Sequence, residues 1–207
     1  MTKGLEVAVI DYGMGNLRSV VNALACLGAS PCLARTPEEV RGARGVILPG
    51  VGAFGEAVRR LEESGMRELL EEIRGSIPLL GICLGLQLLY AGSEEAEGAR
   101  GLGFLPGKVR EIRPGEGRKV PHMGWNQLFW EEELLLLRGV APGSYFYFVH
   151  SYAPPVEEGD GWRRAYCVYG EKFTALLEGE GVFGCQFHPE KSGKRGLEVL
   201  SNFLRLL

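Results

Sequence analysis

Chemistry in this chain begins at Cys83, within IPLLGICLGLQ (77–87), where Gly81 and Gly85 flank the cysteine two residues to either side. The run before it reads as a strand and the run after it as a helix. G-x-C-x-G in that setting is the thiol counterpart of the strained strand-to-helix turn that presents a nucleophile. A side chain at either flanking position would crowd so tight a turn. The sulfur then stands at the carboxyl end of a sheet and at the N-terminus of a helix, where the reactive thiolate is favoured. The backbone N–H of Leu84 becomes a natural oxyanion donor. The plain alternative is a buried structural cysteine, the ordinary lot of residues such as Cys26 and Cys167. The glycines and the strand–turn–helix setting argue against it at Cys83.

A cysteine that attacks an amide needs a base and a proton donor for the leaving nitrogen. The chain has three histidines, His122, His150 and His188. His188 follows the strand-like VFGCQF and precedes Pro189 and Glu190. In an extended His-x-Glu segment both side chains project to one side, so Glu190 can orient the imidazole and stabilise its charged form. Pro189 stiffens that geometry. His150, at the end of a strand, is placed to line the site, whereas His122 reads as structural or interfacial. PGVGAFG (49–55) lacks the Lys-Ser/Thr of a phosphate-binding loop and does not match G-x-G-x-x-G. Its backbone amides suit a developing oxyanion, with an ordinary glycine-rich βα turn as the alternative.

The elements that must hold these residues alternate through the first half. LEVAVI (5–10), SPCLAR, GVILPG (45–50) and IPLLGI (77–82) read as strands. NLRSVVNALACLG, FGEAVRRLEESG, MRELLEEIRG and LGLQLLYAG read as helices, and Thr36-Pro37-Glu38-Glu39 as a capping box with Pro at the first helical position. From about residue 100, GKVREI, YFYFVHSY, RRAYCVYG, KFTALLEG and VFGCQF predict shorter strands joined by Gly/Pro-rich turns. SGKRGLEVLSNFLRLL closes the pattern as a helix. The expected fold is α/β: an open, mostly parallel twisted sheet with helices on both faces and additional antiparallel strands in the C-terminal half. With 207 residues and no linker or internal repeat, a single domain spanning 1–207 is expected.

Composition narrows the function classes. A net charge of -3 without a basic stripe gives no reason to expect nucleic acid. No apolar run approaches the roughly 18 residues of a membrane span, and the N-terminus lacks the pattern of a signal peptide. Five scattered cysteines without CxxC spacing predict neither disulfides nor a metal site, and a cytoplasmic chain.

GICLGLQ together with the later QFHPEKS resembles the triad-type (class I) glutamine amidotransferases, whose Cys, His and Glu match Cys83, His188 and Glu190. DYGMGNLRSV (11–20), LPGVGAFGEAV (48–58), PHMGWN (121–126) and YFVHSY (147–152) are similar to the branch of that family serving imidazole glycerol phosphate synthesis, in register over essentially the whole chain. Leu86, where many relatives read Met, is a volume-conserving difference. The resemblance implies an L-glutamine pocket at Gly50, Val51, Gly52, Gln87, His150, Ser151 and Tyr152, a 49–52 segment that adjusts before serving as oxyanion site, and no cofactor. It also implies that the partner is a (β/α)₈-barrel synthase in a 1:1 heterodimer, met by a face that includes Asn16, Arg18, Trp125, Tyr147 and Lys191. Ammonia freed into neutral water is largely protonated and no longer nucleophilic. The chain leaves no second domain to consume it, so the acceptor is expected on another polypeptide. Three other readings fit less well. PHMGWN and PGVGAF argue against the glutaminase of a pyridoxal phosphate or anthranilate system. The intact Cys83, His188 and Glu190 argue against an inactive binding module, and Gln87 against a cysteine hydrolase with another substrate.

Overall fold

The computed structural model describes residues 6–157 and 161–207; Leu5, at the head of the first predicted strand, lies outside the described residues. The first half runs β1 (Glu6–Ile10), α1 (Leu17–Cys26), β2 (Ser30–Ala34), α2 (Pro37–Val40), β3 (Gly45–Gly50), α3 (Phe54–Glu63), α4 (Met66–Ile73), β4 (Leu79–Cys83) and α5 (Leu84–Leu88). The second half is richer in strands: β5 (Tyr90–Ser93), β6 (Leu105–Glu111), β7 (His122–Gln127), β8 (Tyr145–His150), β9 (Tyr152–Ala153), β10 (Arg163–Tyr169), β11 (Glu171–Gly179) and β12 (Val182–Cys185). Helix α6 (Gly193–Leu204) follows.

Seven strands form the main sheet in the order β10-β11-β12-β4-β3-β1-β2. The pairs from β12 to β2 are parallel, and β10 and β11 add to the edge antiparallel. This is the expected open sheet with antiparallel additions. Period-two alternation divides its interior residues between two layers. Val7, Val9, Ile47, Leu80 and Ile82 face a layer shared with Val20 and Leu24 of α1 and Val199, Leu200 and Phe203 of α6. Ala8, Ile10, Val46, Leu48 and Leu79 face the other, with Phe54, Leu61, Leu70 and Ile73 of α3 and α4. The capping box at α2 forms as expected: the Glu39 carboxylate accepts the backbone N–H groups of Arg35 at 2.6 Å and Thr36 at 3.2 Å.

Two elements differ from the sequence reading. The helix expected over LGLQLLYAG stops at Leu88, and Tyr90–Ser93 is a strand in a separate sheet ordered β5-β6-β9. The cause lies in the following loop. The N–H groups of Leu102, Leu105 and Gly103 bond the carbonyls of Leu88, Leu89 and Tyr90 at 2.7, 3.1 and 3.3 Å, occupying acceptors that a longer helix would use. The second difference is PHMGWN, which supplies a strand: β7 pairs antiparallel with β8 as a ribbon, Trp125 opposite Tyr147 and His122 opposite His150.

Candidate active site

Strand β4 ends in the elbow itself. Cys83 has φ of 55° and ψ of -108°, outside the regions an L-residue ordinarily occupies. The flanking glycines are imposed by backbone. A Cβ on Gly85 would stand 1.8 Å from the Leu48 carbonyl oxygen, and one on Gly81 would stand 2.6 Å from the Gly85 carbonyl oxygen. Because α5 spans five residues, its macrodipole is slight. Any pull on the sulfur from the helix comes from the first N–H groups after Cys83, which narrows the expectation of a full helix terminus.

The sheet brings the other groups to the same edge. β12 lies parallel beside β4, so the chain leaving β12 carries His188 out next to Cys83. His188 Nδ1 and Glu190 Oε1 are 2.8 Å apart, with both side chains almost wholly buried. The segment between them is not extended as the sequence suggested. Pro189–Lys191 forms a 3₁₀ turn, closed by the Lys191 N–H on the His188 carbonyl at 3.0 Å. The fixed φ of Pro189 suits the first position of that turn, which folds Glu190 back onto the imidazole. His188 Nε2 and the second Glu190 oxygen are buried without a hydrogen-bond partner among the described residues. Burial opposes charge on the imidazole, yet the neighbouring Cys83 sulfur and the Glu190 carboxylate outweigh it and lift His188 to about 9.

A cleft of about 270 Å³ joins these groups. It is lined by Cys83, Leu84, Gln87, His150, Ser151, Tyr152 and His188, together with Val51 and Gly52 of the glycine turn. Gly50 stands just behind this wall, paired with Cys83 across β3 and β4. Gly52 takes a positive φ of 100° and Val51 is exposed, so the turn emerges beside the sulfur. Tyr12 lies against Gly50, outside the cleft lining. Its buried hydroxyl has no partner among the described residues, and a Cβ on Gly50 would lie 2.5 Å from it. Burial, then the proximity of Cys83, push its pKa up.

Three more lining residues, Glu95, Pro121 and Val149, were not singled out by the sequence. Glu95 accepts the Phe54 N–H at 2.8 Å, and its only sequence signal was one acid among several in a polar turn.

The histidines at the strand ends form a directed chain. Burial, then the neighbouring His122, hold His150 down at about 3; burial, then Arg118, hold His122 at about 4. Both are therefore neutral near pH 7, with one donor nitrogen each. His150 Nδ1 lies 2.9 Å from the Tyr152 carbonyl, which can only accept, so His150 Nε2 is the acceptor of its ring. His122 Nδ1, 3.1 Å away, donates to it. His122 Nε2 in turn accepts from Asn126 Nδ2 at 3.3 Å. His122 is thus structural, as expected, and also anchors the ribbon to the cleft.

The residues expected to meet a partner divide into two neighbouring groups. Trp125 and Tyr147 stack edge-on across the ribbon with centroids 6.1 Å apart, and Lys191 Nζ sits 6.0 Å over the Tyr147 ring. Asn16 and the exposed Arg18 begin α1, which packs beside the Pro189–Lys191 turn. Met123 and Trp125 are 64% and 55% exposed, leaving an apolar face open beside the cleft.

The other cysteines lack this setting. Burial pushes Cys167 to about 12 and Cys185 well above its ordinary value, while Cys26 and Cys32 are exposed. A larger groove of about 720 Å³, between Glu131–Glu132, Pro155–Glu157 and the outer strand β10, contains no cysteine or histidine; the reactive groups lie in the smaller cleft. Among the described residues no group of His, Cys, Asp and Glu is arranged to hold a metal ion, and no helix is long and apolar enough to cross a membrane.

Residues 8–207 match the family model described as glutamine amidotransferase class-I. The chain is 48% identical over 202 residues to the imidazole glycerol phosphate synthase subunit HisH of Methanothermobacter thermautotrophicus, covering 97% of this chain and 98% of that protein. It is 49% identical over 205 residues to the protein of the same description from Moorella thermoacetica, covering 97% and 95%. Among solved structures, one described as a glutamine amidotransferase superposes with a TM-score of 0.75 at 22% identity over 97% of each chain. The structure described as PurLQS from Thermotoga maritima gives 0.71 at 20% identity, covering 98% of this chain and 99% of that one. At such identities these two likenesses concern the fold.

Proposed function

Because the chain belongs to the class-I glutamine amidotransferase family, among the HisH subunits of imidazole glycerol phosphate synthase, we propose that Cys83, His188 and Glu190 carry out its hydrolysis of L-glutamine to glutamate and ammonia. One observation carries this assignment: the strained Cys83 elbow and the buried His188–Glu190 pair leave adjacent parallel strands and meet on one cleft.

The Cys83 thiolate attacks the side-chain carboxamide carbon, forming a C–S bond and a tetrahedral oxyanion. The Leu84 N–H and the amides of Gly50, Val51 and Gly52 are the donors for that oxyanion. Imidazolium at His188 gives its proton to the departing nitrogen as the C–N bond breaks, and ammonia leaves. The neutral imidazole then takes a proton from water, which attacks the thioester. The C–S bond breaks, releasing glutamate and restoring the thiolate. Glu190 keeps the imidazole oriented and offsets its charge through both steps. Gln87, His150, Ser151 and Tyr152 shape the glutamine pocket.

The ammonia is delivered to a (β/α)₈-barrel synthase subunit, which uses it to make imidazole glycerol phosphate and aminoimidazole carboxamide ribonucleotide. Both proteins work in the cytoplasm as a 1:1 heterodimer, independently of membrane and nucleic acid. The docking face is the exposed β7–β8 ribbon with Trp125, Tyr147 and Lys191, continued by Asn16 and Arg18. Glutamate release is measured with this chain alone, with the barrel subunit, and with the barrel subunit plus its nucleotide ligand. Release rises with the partner, and Cys83→Ala lowers it by about a thousandfold or more. Partner-stimulated release that survives Cys83→Ala refutes the nucleophile. A barrel subunit that neither binds nor stimulates refutes the pathway and leaves the hydrolysis standing.

A further inference from the structure

The side chain of Gln186 is fully buried between β12 and His188, and no step of the mechanism above uses it. Its Nε2 donates to Cys83 Sγ at 3.7 Å. The orientation of this amide is set by an anchor that cannot rotate. The Tyr152 carbonyl is an obligate acceptor, so Gln87 must turn its NH₂ toward it, at 2.9 Å. The second proton of that NH₂ then points at Gln186 Oε1, 3.2 Å away. With its oxygen so engaged, Gln186 presents its NH₂ to the sulfur. The backbone adds to this rigidity, since the Gln186 N–H is bonded to the Ala175 carbonyl of β11 at 2.8 Å.

Across the sulfur stands a group of opposite character. The Val149 carbonyl oxygen is 3.9 Å from Sγ and can accept only from a protonated thiol. An amide N–H directed at the sulfur stabilises the anion, whereas a carbonyl dipole directed at it stabilises S–H. The geometry points to Gln186 as a positioning residue that holds the Cys83 sulfur in its anionic, attack-ready orientation against the pull of Val149. This rests on Cys83 being the nucleophile. The same Tyr152 carbonyl also takes the His150 N–H, so one backbone atom fixes the glutamine pair and the histidine chain together.

Gln186→Met and Gln186→Glu, both close in length to glutamine, are made in a Cys26→Ser/Cys32→Ser background and assembled with the barrel subunit plus its nucleotide ligand. Gln186→Met removes the donor, and kcat falls about tenfold with KM little changed. Iodoacetamide labelling of Cys83 at fixed pH slows in parallel, and the ultraviolet absorbance of the thiolate, taken against Cys83→Ala, diminishes. Gln186→Glu sets a carboxylate beside the sulfur and lowers all three readouts further. That ordering, with melting temperatures close to the parent, supports the assignment. Parental labelling and turnover in both variants overturn it, as do equal losses in both that track lost stability, which mark a packing role. Cys83→Ala separates the two levels: activity retained there refutes the nucleophile and this inference with it, whereas activity lost there beside unaffected Gln186 variants refutes this inference alone.

Discussion

The Tyr12 hydroxyl lies against the strand end that carries Gly50, buried and without a hydrogen-bond partner among the described residues. A polar group taken out of water with nothing in return costs about 1–3 kcal/mol. Tyr12→Phe is therefore expected to raise stability by about 1 kcal/mol, read as a higher urea midpoint with an unchanged m-value. Should the variant be more stable yet slower in partner-stimulated hydrolysis, the hydroxyl finds its partner during turnover. The neighbour expected to supply it is the turn at Val51 and Gly52, where the wide backbone range of glycine at Gly52 permits a change of conformation. No comparable freedom exists at Gly85, where a single added carbon would meet the Leu48 carbonyl.

Strand ends carry the titrating groups, and they set opposite limits on stability. His122 on β7 and His150 on β8 have folded pKa values near 4 and 3, below an unfolded value of about 6.5. The unfolded chain binds more protons in that interval, so stability falls as pH drops below about 6.5. Each histidine contributes at most about 1.4 kcal/mol per pH unit. His188, beyond β12, has its folded value raised to about 9. Its contribution is complete below about 6.5 and is lost as pH rises through about 9, where ionisation of Cys167 and Cys185 in the unfolded chain adds to the loss. Urea stability should accordingly peak near pH 6.5, and His122→Gln should flatten the acid limb while sparing the alkaline one. The parallel core of this fold was legible in the sequence because β1, β3 and β4 are short apolar runs buried on both faces. The cysteine and His–Glu motifs were legible because elbow glycines and His-Pro-Glu are local patterns. What escaped was tertiary in origin. α5 is cut short because N–H groups of residues 102–105 occupy the carbonyls of residues 88–90, β7 is a strand through its pairing with β8, and Glu190 reaches His188 through a 3₁₀ turn. The reach of Gln186 to the sulfur depends on Gln87 and Tyr152, distant in sequence, and no spacing rule could have shown it.

At the scale of the whole molecule, the two interior layers hold the nucleophile in place. β4 is paired on one side to β3 and on the other to β12, and α5 folds back between them with Leu84, Leu86 and Leu88 buried. This framework keeps Cys83 at a positive φ that a free chain would relax, a conformation worth roughly 1–3 kcal/mol of strain for a residue with a side chain. Glycine adopts it readily, at the expense of some extra unfolded-state entropy. Cys83→Gly is thus expected to stabilise the fold by about 1 kcal/mol while abolishing hydrolysis, tested by urea unfolding beside the glutaminase assay. Equal or lower stability would mean that the backbone at Cys83 is relaxed. If the gain is found, mutation and drift have a direction at this codon. Any lineage released from the need for ammonia would find one substitution that makes the protein sturdier and ends its chemistry, so the cysteine persists only where turnover itself is selected.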